Sequence, residues 1–161
     1  MLAKSLARLS SGSKITSPAD DAAGLAVSMR FDAEINRTQA ATNNIADALS
    51  FSQTQDGFLK KVSTALDRMS ELSILSQDVT KTDADRTLYN SEFSTLAAYI
   101  TNVASKDFNG VTLFSASALS VTTDGDNGTF SMTGVNLSAT AYTNATGAAV
   151  DTTSPSSRSV M

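Results

Sequence analysis

The sequence predicts a mainly α-helical protein, a long antiparallel helical rod followed by a small β-hairpin region and a hinge. Three observations carry this prediction. No proline occurs between Pro18 and Pro155, so nothing forbids a continuous helix across most of that span. Large apolar residues recur at helical steps through two long stretches. From Asp107 onward the chain becomes rich in Thr, Ser, Gly and Asn and carries little charge.

Residues 1–17 read as the end of an inner helical segment plus a connecting loop, with Gly12 supplying the turn. Residues 18–114 read as a helical core domain, opened by a helix over about 18–78. Its start chemistry is good. Ser17 suits the N-cap, Pro18 the first helical position where its missing N–H costs nothing, and Asp20 the third. Asp20 and Asp21 then both fall in the first turn, where the helix dipole favours negative charge. Gly24 and Gly57 interrupt the pattern, each costing about 1 kcal/mol relative to Ala. Gly24, among alanines, suits close approach of a helix that this chain does not itself supply. The apolar pairs Leu25 and Met29, Phe31 and Ile35, Ile45 and Leu49 lead into the best seam, Phe58, Val62, Ala65, Met69 and Leu72, with steps of 4, 3, 4 and 3. A helix of that extent is roughly 90 Å long, which suits a rod or bundle better than a compact domain.

A second helix is expected over about 83–106. Thr82 with Asp85 makes a capping-box-like start, and Tyr89, Phe93, Leu96, Ile100 and Val103 follow as an unbroken heptad seam. Asn109-Gly110 ends it. The connection, about Val79 to Thr82, is short enough to fold this helix antiparallel to the first. Residues 115–161 read as a hairpin and an irregular segment leading toward a missing outer or C-terminal part. "VTLF", "LSVTT" and "TFSMTGV" are β-prone, and "DGDNG" (Asp124 to Gly128) supplies residues that tolerate positive φ between the last two. The final "NATGAAVDTTSPSSRSVM" has no periodicity and reads as loop or hinge.

Composition narrows the function. With no His and no Cys there is no Ser-His or Cys-His nucleophile and no disulfide framework. A net charge of −4 with 17% charged residues argues against nucleic-acid binding, which needs a basic stripe. No apolar run is long enough to span a membrane, and "MLAKSLARLSSG" lacks the apolar core of a signal peptide. Asp20-Asp21 is the tempting acidic pair, but adjacent helical residues diverge by about 100° and converge poorly on one ion. "DGDNG" lacks the downstream Glu of a calcium loop. "SSGSK" has one glycine where a phosphate loop needs two at fixed spacing after a strand. No catalytic, cofactor or metal residue is expected, and no cofactor.

The first helix has far more apolar length than the second can cover. The leftover stripe needs a partner, either another copy of the chain or a returning C-terminal segment that this sequence does not contain.

"LSSGSKITSPADDAAGLAV" (Leu9 to Val27) resembles the N-terminal signature of bacterial flagellin, the flagellar filament subunit. The resemblance continues through "NNIADALSFSQTQDGFLKKVSTALDRMSELSILSQ", "DFNGVTLF" and the "DGDNG" hairpin, and covers most of Leu6 to about Val135. It implies a structural subunit that assembles into a helical tube for motility, with N- and C-terminal helices paired and apolar seams shared between core and subunit contacts. It also implies export through the flagellar channel without signal cleavage, to an extracellular filament, with an export chaperone and a filament cap as partners. Some flagellins are sensed by a vertebrate Toll-like receptor, and the matching positions here are Arg68, Leu72 and Glu92. "MS" and "SIL" around them depart from the commonest receptor-binding pattern. Flagellins usually carry a few dozen residues before "LSSG" and end in a C-terminal helical region. An N-terminal fragment, or a subunit whose remainder is separate, is therefore expected. The alternatives are the hook–filament junction protein, which shares the "LSSG" and "DD" region, and a flagellin-like surface protein binding glycan or a host receptor.

Overall fold

The computed structural model describes residues 2–17 and 19–150. Its elements are α1 (Leu2–Ser11), α2 (Ala22–Ser76), α3 (Asp83–Ala104), β1 (Asp107–Phe108), β2 (Val111–Thr112), β3 (Leu119–Thr122), β4 (Thr129–Met132) and α4 (Thr140–Thr146). The predicted class, helical with a small hairpin region, is the observed one. Pro18, expected at the first helical position, and the tail 151–161 lie outside the described residues.

Helix boundaries follow the capping chemistry. Gly12 sits at φ 66° directly after Ser11 and ends α1 in the left-handed conformation that glycine adopts without strain. The 55 residues of α2 begin at Ala22, four residues later than expected, and the helix stops at Ser76, where the chain passes into turns. In α3 the start is the expected one. The Thr82 side chain accepts the Asp85 N–H, and the Asp85 carboxylate reaches back to the Thr82 backbone N–H at 3.0 Å and its hydroxyl at 2.7 Å. The helix ends at Ala104 rather than at 106, because Lys106 turns to pair its carbonyl with the Leu113 N–H at 3.0 Å.

The chain divides into two compact units, Met1–Ala46 with Thr122–Phe130, and Asp47–Val121 with Ser131–Met161. These units cut across the sequence-based division at 17 and 114, since α2 contributes to both.

The second unit holds the main core. Along α2, Phe51, Val62, Ala65, Met69 and Leu72 are buried, with Phe58 packed against them. The buried face of α3 is Phe93, Ala97, Ile100 and Val103, with Tyr89 and Leu96 partly covered. α3 runs back along α2, because Arg68 meets Glu92 while Phe51 meets Phe108 further along the chain. Asn109 (φ 50°) and Gly110 (φ 79°) form a tight turn between β1 and β2, which pair antiparallel with Asp107 opposite Thr112 and Phe108 opposite Val111. Asn109-Gly110, expected only as a helix end, is thus a hairpin turn. That turn brings Leu113 and Phe114 into the core, where Phe114 meets Phe58 edge-to-face at 6.3 Å. Gln55, at a seam position, donates from Nε2 to the Leu113 carbonyl at 2.6 Å, so a polar residue in the apolar run is bonded to buried backbone.

Three later features differ from the loop and hinge expected here. α4 has no side-chain cap, and its Thr-rich sequence has low helix propensity; it stands because Tyr142 packs against the core. Val150 is fully buried and its N–H donates to Asn90 Oδ1 at 3.1 Å. The backbone of Gly134 passes the carbonyls of Ser115 and Ser117 so closely that no side chain fits there.

Candidate functional site

Within the first unit, the loop between α1 and α2 is built from short polar side chains that bond to nearby backbone. Ser17 is not the α2 cap. Its carbonyl accepts the Asp20 N–H at 2.9 Å and its hydroxyl accepts the Ala19 N–H at 3.2 Å, which makes a turn ahead of the helix. The cap is Asp21, whose Oδ1 accepts the Gly24 N–H at 2.9 Å while its carbonyl accepts the Leu25 N–H at 3.0 Å. Asp20 turns the other way. Its Oδ2 accepts the Thr16 hydroxyl at 2.9 Å and the Thr16 N–H at 3.3 Å, and lies 3.8 Å from Arg8 Nη2 on α1. Neither aspartate occupies the first turn inside the helix as expected, and the pair is split between two tasks. Gly24 also has a local reason. A Cβ there would collide with the Asp21 carboxylate and stand 3.2 Å from Ile15 Cδ1.

The first half of α2 carries two faces. Ala41 is buried, and a Cβ added to Gly125 in the β3–β4 loop would stand 3.2 Å from the Arg37 Cβ. Phe31, Ile35 and Ile45 lie on a stripe roughly a third of a turn away, completed at heptad steps by Thr38 and Thr42. These apolar residues are solvent-exposed, Phe31 at 60% and Ile35 at 64%. Leu2, Leu6 and Leu9 on α1 are exposed as well, at i, i+4 and i+7 spacing along one face. The apolar residues of the first unit are thus mostly presented to solvent, whereas the same spacing in the second unit is buried.

In the second unit an ionic cluster joins α2 and α3. Arg68 Nε donates to Glu92 Oε1 at 2.7 Å, Nη2 to Glu92 Oε2 at 3.0 Å, and Nη1 to Glu71 Oε2 at 2.7 Å. The hydrogen bond from Arg68 holds the Glu92 carboxyl below its ordinary range, and the bonds to Glu92 and then Glu71 hold the Arg68 guanidinium above its own. Leu72, named with this pair by the resemblance, has 0% exposure and can present no surface to a receptor. It belongs wholly to the seam. Arg68 and Glu92 remain at the surface.

The "DGDNG" loop is self-contained. Asp124 Oδ1 accepts the Asp126 N–H at 2.9 Å and the Gly128 N–H at 2.6 Å, so the carboxylate serves the turn. Among the described residues no group of three or more acidic, His or Cys side chains gathers as for a metal ion, and no helix is long and apolar enough to cross a membrane.

Comparison with known proteins agrees with the motifs. Residues 1–118 match the family described as the bacterial flagellin N-terminal helical region. The chain is 39% identical over 104 residues to a flagellar filament core protein of Brachyspira hyodysenteriae, covering 65% of this chain and 36% of that protein. It is 34% identical over 115 residues to flagellin 1 of Proteus mirabilis, covering 71% of this chain and 32% of that one. To a flagellin of Halalkalibacterium halodurans it is 38% identical over 100 residues, 62% of this chain and 37% of the relative. The chain spans about a third of the length of these curated relatives.

Proposed function

The chain belongs to the bacterial flagellin family, and from that premise we propose that it serves as a structural subunit of the extracellular flagellar filament, self-assembling into a helical tube for motility. The observation that carries the reading is the exposed stripe Phe31, Ile35 and Ile45 on α2. Apolar residues at heptad spacing, left in water by the chain's own fold, are what a helix presents when its partner is another helix. The stripe pairs with C-terminal helices of the flagellin subunit and with neighbouring subunits, in an open heterologous assembly.

Export without signal cleavage, an export chaperone and a filament cap follow from the family resemblance as further partners. A Toll-like receptor would meet Arg68 and Glu92, whose side chains are partly exposed, and would not meet the buried Leu72. The role requires no reaction, cofactor or metal.

Complementation of a strain lacking the gene tests the reading. Wild-type protein should restore filaments seen by electron microscopy and restore swimming. Phe31→Asp with Ile35→Asp should leave helix content and secretion unchanged and abolish the filaments. Normal filaments from the double variant would remove the stripe from assembly, and failure of the wild-type gene to restore any filament would remove the filament role itself.

A further inference from the structure

The chain holds two Asn-Gly steps, Asn109-Gly110 and Asn127-Gly128, each with its asparagine in the left-handed region, at φ 50° and 69°. Asparagine before glycine can cyclise on itself, because glycine has no side chain to hinder its own nitrogen from reaching the asparagine Cγ. The backbone class is therefore alike at both steps, and what differs is the state of the attacking nitrogen.

At Gly128 that nitrogen is held. Its N–H donates to Asp124 Oδ1 at 2.6 Å, and a Cβ placed on Gly128 would strike the same carboxylate. The Gly128 carbonyl is fixed as well, accepting the Thr123 N–H at 2.8 Å and the Thr123 hydroxyl at 3.2 Å. To attack, this nitrogen must surrender its proton while facing a negative charge that binds the proton and repels the anion. At Gly110, by contrast, both residues of the step are exposed and a Cβ would meet nothing within 4 Å. Among the described residues no turn or side-chain hydrogen bond takes up the Gly110 N–H.

We infer that Asn109 is a site of spontaneous deamidation and that Asp124 protects Asn127 from the same reaction. In the step, hydroxide removes the Gly110 amide proton and the nitrogen attacks the Asn109 Cγ. The N–Cγ bond forms, the Cγ–Nδ2 bond breaks, and the side-chain nitrogen leaves as ammonia after taking a proton from water. Water then opens the cyclic imide at either carbonyl, leaving aspartate or isoaspartate. No oxidant or reductant is involved. The isoaspartate product lengthens the backbone at the two-residue turn between β1 and β2, immediately before the buried Leu113 and Phe114, so the covalent change falls where the hairpin register is set.

The test is incubation of the full folded chain in warm, mildly alkaline buffer, followed by peptide mass spectrometry with fragmentation that separates aspartate from isoaspartate. Asn109 should convert about tenfold faster than Asn127, the factor expected from one charge-assisted hydrogen bond that must be broken. Asp124→Ala should raise the Asn127 rate toward that of Asn109, and in strong denaturant the two rates should converge. Equal rates in the folded chain, a faster Asn127, an Asn127 rate unmoved by Asp124→Ala, or a difference that persists in denaturant would each overturn the inference.

Discussion

Arg68 on α2 grips Glu92 on α3 through two parallel hydrogen bonds, 2.7 Å and 3.0 Å, across 24 residues of sequence. The pair fixes one face of the α2–α3 contact directly beside Leu72, which the core encloses. Both side chains are partly exposed, so the pair is screened by salt and sets geometry more than it adds stability.

The pH dependence follows from the carboxylates. Hydrogen bonds from Arg68 depress the folded-state pKa of Glu92, those from the Thr82 hydroxyl and N–H depress Asp85, and those from the Thr80 N–H and hydroxyl depress Asp78. Each contributes stability that is present above its unfolded pKa and is lost as pH falls through the folded one. Unfolding midpoints should therefore decline below about pH 4. In Glu92→Gln the deficit against wild type should be present at neutral pH and vanish at the acid end. A pH series of thermal melts at low and high salt measures it.

Burial separates residues that look equivalent in sequence. Leu72→Ala should cost about 2–5 kcal/mol, because a fully enclosed side chain leaves a cavity. Phe31→Ala should change monomer stability by about 0.5 kcal/mol or less, because its ring already stands in water. Urea unfolding of the two variants provides the comparison.

Asp21→Ala should cost about 1 kcal/mol and fray the start of α2, while Asp21→Asn should recover most of it, since either oxygen can accept the Gly24 N–H. Asp20→Ala should instead loosen Thr16 and leave the Gly24 amide protected. Hydrogen exchange at Gly24 and Thr16 distinguishes the two.

Gly134→Ala should destabilise by about 1–3 kcal/mol, since its Cβ would meet the Ser115 and Ser117 carbonyls, and backbone cannot rotate aside as a side chain can. Gly57→Ala has open space at that position and should be neutral or stabilising. Denaturant midpoints of both variants check this.

The helices were legible in the sequence because their signals are local and repeat. The α3 capping box and the seam Phe93, Ile100, Val103 sit in one periodic segment, and heptad spacing marks a face whatever it packs against. Residues at identical spacing do not say which seam is covered. Met69 and Leu72 are enclosed while Phe31 and Ile35 stand in water, because enclosure depends on which distant segment returns over each part of α2. The same limit hid the helix start. Ser17 and Asp21 are both good caps, and the choice fell to Asp21 because Asp20 turned back to Thr16 and Arg8. Gln55, Gly134 and Asn90 gave no local sign of their tasks, since each meets backbone dozens of residues away or, for Gly134, across a loop. By itself the sequence determined helix periodicity, the Asp124–Gly128 hairpin turn and the family, all properties of short stretches. Only the tertiary structure decided which apolar face the chain buries and which it leaves for a partner, because burial is settled by chain closure over long separations.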